Sequence, residues 1–83
     1  MGEKEVGVVS TYFNNVGVAA VKLSESLKVG DQIRVKGFTT DFVQKVGSIQ
    51  VGDKKMPAGK KGDHVGIKVD ERARPNDKVF VIE

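Results

Sequence analysis

Eighty-three residues carrying a net charge of +3, with ten glycines and no cysteine, read as one small domain spanning residues 1–83. A chain of that length buries only roughly 60–65% of its unfolded surface, and without cysteine it has neither a disulfide staple nor a thiolate metal site. No apolar run reaches signal-peptide or membrane-spanning length, so the sequence reads as a cytoplasmic protein with no membrane partner.

Glu5–Phe13, rich in Val6, Val8, Val9, Tyr12 and Phe13, reads as the first strand. Asn14-Asn15 follows, and two asparagines suit the left-handed positions of a two-residue hairpin turn. Val16–Leu23 is the expected partner strand. Its small residues Gly17, Ala19 and Ala20 mark places where another backbone comes close. Ser24-Glu25-Ser26 is a polar turn.

Leu27–Gly37 is the element around which the rest is organised. Gly30 takes positive φ without a Cβ clash, and the Asp31 carboxylate can accept a nearby backbone N–H and lock the corner. Ile33 and Val35 then alternate with Gln32, Arg34 and Lys36, the pattern of a strand with one buried face. The same corner recurs at Gly52-Asp53, Gly62-Asp63 and Asn76-Asp77. Phe42–Gly52 is the next strand, and its broken parity at Val46, Ile49 and Val51 points to a β-bulge near Gly47-Ser48.

Residues 52–61 hold Lys54, Lys55, Lys60 and Lys61, with Pro57 and Gly59 arguing against regular structure. Asp63–Val69 is the fifth strand. A charged connection, residues 70–77, leads to Lys78–Ile82, which is apolar on both faces and so expects a neighbour on each side. No apolar stripe keeps helical spacing. Six short strands separated by turn signals therefore predict an all-β fold, a small six-stranded antiparallel β-barrel whose closure removes its edges.

Catalytic equipment is sparse. His64, the single histidine, falls on the polar face of its strand and reads as a surface residue. With no second soft ligand, no metal and no cofactor are expected. Ala58-Gly59-Lys60-Lys61-Gly62 looks superficially like a phosphate loop, but it lacks the leading glycine and the Ser/Thr, and a strand rather than a helix follows. A nucleoside triphosphate is therefore not an expected ligand.

The strongest candidate surface is cationic: Lys54, Lys55, Lys60 and Lys61, joined by Arg72 and Arg74. Were both segments to fall at one end of the barrel, these cations would track a phosphate backbone. The same lysines also serve the simpler purpose of keeping loops soluble. Exposed aromatic residues for base stacking are scarce, because Tyr12, Phe13, Phe38, Phe42 and Phe80 read as core or rim.

Taken in order, Val18–Leu23 with Leu27–Ile33, Val46–Gln50, Ala58–Ile67 and Asn76–Val79 resemble the successive turn-and-strand motifs of domain II of the translational GTPases, the barrel found in elongation factor Tu. The likeness covers nearly the whole chain, with Asn76 standing where the family has Gly. No GTP-binding domain accompanies it, so GTPase activity does not carry over. The resemblance implies a non-enzymatic module contacting tRNA, rRNA or the ribosome, with Lys60 at the position that lies near the tRNA acceptor end. The alternative is a protein-interaction adaptor docking on a larger enzyme.

Overall fold

The structure, a computed structural model, describes residues 2–83. The described residues form strands and turns and no helix: β1 (Glu3–Phe13), β2 (Val18–Leu23), β3 (Leu27–Lys28), β4 (Gln32–Lys36), β5 (Asp41–Lys45), β6 (Ile49–Val51), β7 (Lys54–Met56), β8 (Ala58–Gly59), β9 (His64–Lys68) and β10 (Lys78–Ile82). The all-β expectation holds. Eight strands make one antiparallel sheet in the order β5-β4-β10-β1-β2-β9-β6-β7, while β3 and β8 form a separate ladder.

The sheet curls around a core that includes Val6, Val9, Val21, Leu23, Ile33, Ile49 and Ile67. Alternation explains which residues face inward: along β4, Ile33 and Val35 are buried, with Gln32 and Lys36 exposed. β10 is hydrogen-bonded between β1 and β4, with Val79 buried and Phe80, Val81 and Ile82 partly exposed, so its apolar residues are not fully covered on both faces as expected.

The expected six-stranded barrel is corrected in both count and closure. β5 and β7 remain edges of the large sheet. Near the end of β9 a side chain bridges what a backbone ladder would join: Gln44 Nε2 donates to the Lys68 carbonyl at 3.0 Å, and its Oε1 accepts the Asp70 N–H at 2.7 Å. The extra strands come from segments expected to be continuous or irregular. Leu27–Gly37 is broken into β3 and β4 by its own corner. Phe42–Gly52 is broken over residues 46–48. The Val46 N–H still reaches the Asp31 carbonyl at 2.8 Å, in register with the Gln32–Lys45 pair. The chain then leaves β4 to pair as β6 with β9 and β7, so the lost parity there is a change of strand partner and not a bulge. Residues 52–61 supply β7 and β8.

The true bulges lie in β1, at Glu5/Gly7 against β10 and at Val9/Thr11 against β2. Gly7 is required there, because an added Cβ would stand 2.8 Å from the Lys22 carbonyl oxygen. The first hairpin also differs from expectation. The Phe13 carbonyl accepts the Gly17 N–H at 2.8 Å, the positive φ (68°) falls on Gly17, and β2 begins at Val18. Glycine takes that conformation at less cost than either asparagine.

Three corners share one geometry, Lys28-Val29-Gly30-Asp31, Lys60-Lys61-Gly62-Asp63 and Arg74-Pro75-Asn76-Asp77. In each, an Asp Oδ2 accepts the N–H of the residue three earlier, at 3.1, 3.0 and 2.8 Å. The Asp N–H returns a bond to that same residue's carbonyl at 3.1, 2.9 and 3.1 Å. The third position is left-handed, with φ of 97°, 90° and 76°, as a type II turn demands. Each corner launches a strand, β4, β9 or β10. Gly52-Asp53 instead closes the β6–β7 hairpin between Val51 and Lys54.

Antiparallel pairing sorts the connections around β1, β2, β4, β9 and β10 into two ends. Residues 14–17, 37–40 and 69–77 lie at one, called distal below. Residues 24–31 and 60–63 lie at the other, proximal end, together with Gly2 and Glu83, whose backbones pair (Glu83 N–H to Gly2 carbonyl, 2.8 Å).

Candidate functional site

The six cations singled out from sequence are all exposed, but the structure does not gather them. Lys54 and Lys55 lie on β7, an edge strand, with Lys55 opposite Gln50. Lys60 and Lys61 open the corner before β9 at the proximal end, where the Gly62 N–H reaches the Leu23 carbonyl at 2.8 Å. Arg72 and Arg74 lie at the distal end beside Tyr12, which pairs with Ala19. The length of β2 separates the arginines from Lys60 and Lys61, roughly 15 Å at the rise of a strand. That exceeds a Debye length of about 8 Å at physiological salt, so the two groups do not act as one electrostatic surface.

What the distal end does assemble is a groove of about 400 Å³ between the β1–β2 hairpin and the β9–β10 connection. Thr11, Tyr12 and Asn14 line one side and residues 72–75 the other. The connection is anchored from below by the buried side chains of Ala73 and Asp77. Asp77 Oδ2 accepts the Arg74 N–H, and the Asn76 N–H donates to the Val9 carbonyl at 2.7 Å. Tyr12 is half-buried and packs against the core. The groove's charged lining consists of Arg72 and Arg74, and neither forms an ion pair among the described residues.

Exposed apolar side chains stand at the same end. Phe38 projects fully into solvent from the β4–β5 turn, and Phe13 and Val16 are about half exposed on the β1–β2 hairpin. Reading Phe38 as core or rim is thereby corrected. The signal was present in the sequence: a large aromatic residue between Gly37 and Thr39-Thr40, inside a turn, has no strand face to bury it.

Several other charged groups are engaged with each other. Arg34 Nε and Nη2 donate to the two Asp41 carboxylate oxygens at 2.8 and 3.0 Å, and Nη1 donates to Glu3 Oε2 at 2.9 Å. Hydrogen bonding to Arg34 holds the Asp41 carboxyl below the usual carboxylate range. Lys78 pairs with Glu5 and Lys4 with Glu25. A smaller proximal recess, about 230 Å³, is lined by Ser26, Leu27, Lys28, Asp31 and Ala58. His64 is exposed on β9 opposite Lys22. Among the described residues no three His, Cys, Asp or Glu side chains gather as a metal site, and no helix is long and apolar enough to cross a membrane.

Comparison with known proteins overturns the translation-factor reading. No protein-family profile matches the sequence. The chain is 36% identical over 80 residues to a protein of Methanocaldococcus jannaschii named an uncharacterized protease, a match covering 95% of this chain and 20% of that protein. It is likewise 36% identical over 77 residues to a collagenase of Porphyromonas gingivalis, covering 90% of this chain and 21% of the relative. The chain thus spans about a fifth of the length of the curated relatives it matches. In three dimensions it superposes with a TM-score of 0.90 on the crystal structure of the C-terminal domain of a protein described as a U32 peptidase from Geobacillus thermoleovorans. Identity there is 22%, with 96% of this chain and 93% of that one covered. The selenomethionine form of the same domain gives a TM-score of 0.87. These findings replace the expected kinship with domain II of the translational GTPases, and with it the reading of Lys60 and its neighbours as a contact for tRNA, rRNA or the ribosome. The corners that carried that resemblance are the Asp-locked turns described above, which many antiparallel strands need whatever their ancestry.

Proposed function

We propose that this chain is a non-catalytic accessory domain that works alongside the catalytic region of a peptidase of the U32 kind. The observation that carries the reading is one of extent. The chain corresponds to a single domain's share of larger proteins named protease or collagenase, and its fold is that of a domain crystallised as a C-terminal unit. Its chemistry is compatible with that role. The one histidine is exposed and stands apart from the distal groove, and the grooves are shallow and open rather than enclosed around converging acid and base groups. A cysteine-free chain whose fold uses no disulfide suits the cytoplasm.

The test is enzymatic. Incubated alone with casein, gelatin and quenched fluorescent peptides, the purified chain should release no new amino termini. Removing the corresponding domain from the Methanocaldococcus jannaschii relative should leave the catalytic region in place and lower its turnover of polypeptide. Hydrolysis that scales with concentration of the isolated chain, and that a His64→Ala variant loses, would overturn the reading.

A further inference from the structure

We propose that the distal groove binds an acidic stretch of polypeptide, with carboxylates seated on Arg72 and Arg74 and apolar neighbours resting on the exposed rim. The inference goes beyond the accessory-domain reading and does not depend on it. Charge is the first ground. Among the described residues, the charged side chains lining the groove are two arginines that form no ion pair, and Asp70 and Glu71 of the same connection do not line it. The Asp77 carboxylate beneath the connection is buried and committed to the Arg74 N–H. A guanidinium fork matches a carboxylate in two parallel hydrogen bonds, so an anionic side chain is the complementary ligand.

The surroundings favour polypeptide over nucleic acid. A phosphate backbone needs a run of cations. Only two cations, Arg72 and Arg74, are in the groove's lining among the described residues; Lys60 and Lys61 lie at the other end of β2, and Lys54 and Lys55 on the edge strand β7. Thr11 and Asn14 instead offer side-chain donors and acceptors beside it, suited to a peptide backbone. Phe38, in the turn after β4, supplies exposed apolar surface at the same end, as do Phe13 and Val16. Gly2 and Glu83 lie at the opposite end, so polypeptide joined at either terminus departs away from the groove.

The experiment uses the intact chain and three fluorescent probes: a twelve-residue peptide alternating Glu with Phe, its counterpart with every Glu replaced by Gln, and a twelve-nucleotide single-stranded RNA. Fluorescence anisotropy should show binding of the Glu peptide, with affinity lowered about tenfold or more by the double variant Arg72→Gln, Arg74→Gln. The Gln peptide should bind correspondingly worse. Amide chemical shifts of the unmodified chain, titrated with the Glu peptide, should move at Thr11, Tyr12, Asn14 and residues 72–76. This arm stands even if the double variant does not fold. Equal binding of the Glu and Gln peptides, tighter binding of the RNA through the same arginines, or shifts confined to residues 54–61 would each overturn the proposal. Because no cleavage is measured, failure here leaves the peptidase-domain reading to its own test.

Discussion

Gln44 on β5 and Asp70 beyond β9 are joined by a 2.7 Å hydrogen bond from the Asp70 N–H to the glutamine Oε1, and the same amide donates to the Lys68 carbonyl. Edge strand β5 and the end of interior strand β9 are thereby held together by one side chain. Gln44→Ala removes both bonds and should cost about 1–2 kcal/mol. The midpoint of urea denaturation measures the loss. Faster hydrogen exchange at Asp70, with β1 and β2 unchanged, would show that the damage is local to the seam.

The three Asp-locked corners should not be equivalent. Asp77 is buried, while Asp31 and Asp63 are partly open to water. Asp77→Ala leaves the Arg74 N–H without its partner in a packed site, at a cost of about 2 kcal/mol, against roughly 0.5–1 kcal/mol for Asp31→Ala or Asp63→Ala. Gly37 packs directly against the Asp77 carboxylate, leaving no room for a Cβ. Gly37→Ala should therefore destabilise as Asp77→Ala does. Equal midpoints for the three aspartate variants would contradict this ordering.

Two glycines offer a sharper contrast. At Gly7 an added Cβ meets Val21 Cγ1 at 2.7 Å and the Lys22 carbonyl oxygen at 2.8 Å, whereas at Gly47 nothing lies within 4 Å and φ is not positive. Gly7→Ala should cost about 2–3 kcal/mol through displaced backbone. Gly47→Ala should be neutral or stabilise by about 0.5 kcal/mol, because the unfolded chain loses freedom. Thermal denaturation of the pair gives the two signs.

Acid should act partly through Arg34. Its hydrogen bonds lower the Asp41 pKa, so the folded state holds the carboxylate more tightly in its charged form than the unfolded chain does. A group with a depressed folded pKa stabilises above its unfolded pKa, and that contribution fades as pH falls through the folded value. Arg34→Met should therefore be less stable than the parent at neutral pH, with the difference closing below the ordinary carboxylate range. A gap that stayed constant from neutral to acid pH would assign the effect to lost packing of the Arg34 stem.

Local chemistry was legible in the sequence and long-range pairing was not. Gly30-Asp31, Gly62-Asp63 and Asn76-Asp77 could be read as corners because a positive φ and a capping carboxylate are properties of adjacent residues. The alternation of Ile33 and Val35 likewise gave β4 its buried face. β3 and β8 escaped notice because two-residue strands have no period, and because Pro57-Ala58-Gly59 reads as a breaker. Yet Gly59 is there for close approach: a Cβ would stand 2.6 Å from Leu23 Cδ1. The cationic residues were visible, but their division between two ends follows from strand order, which no local pattern encodes. Tyr12 and Asn14 became part of a groove only when the 72–75 segment folded over them.

The adjoining backbones of Gly2 and Glu83 place the two ends side by side, so the chain can be reopened at an exposed turn without parting its strands. A short glycine linker across that gap, with new ends opened between Asn14 and Asn15, should yield a permuted molecule with the same architecture. For the same reason the unit can be spliced into a surface loop of a host protein as readily as it is tacked onto one extremity.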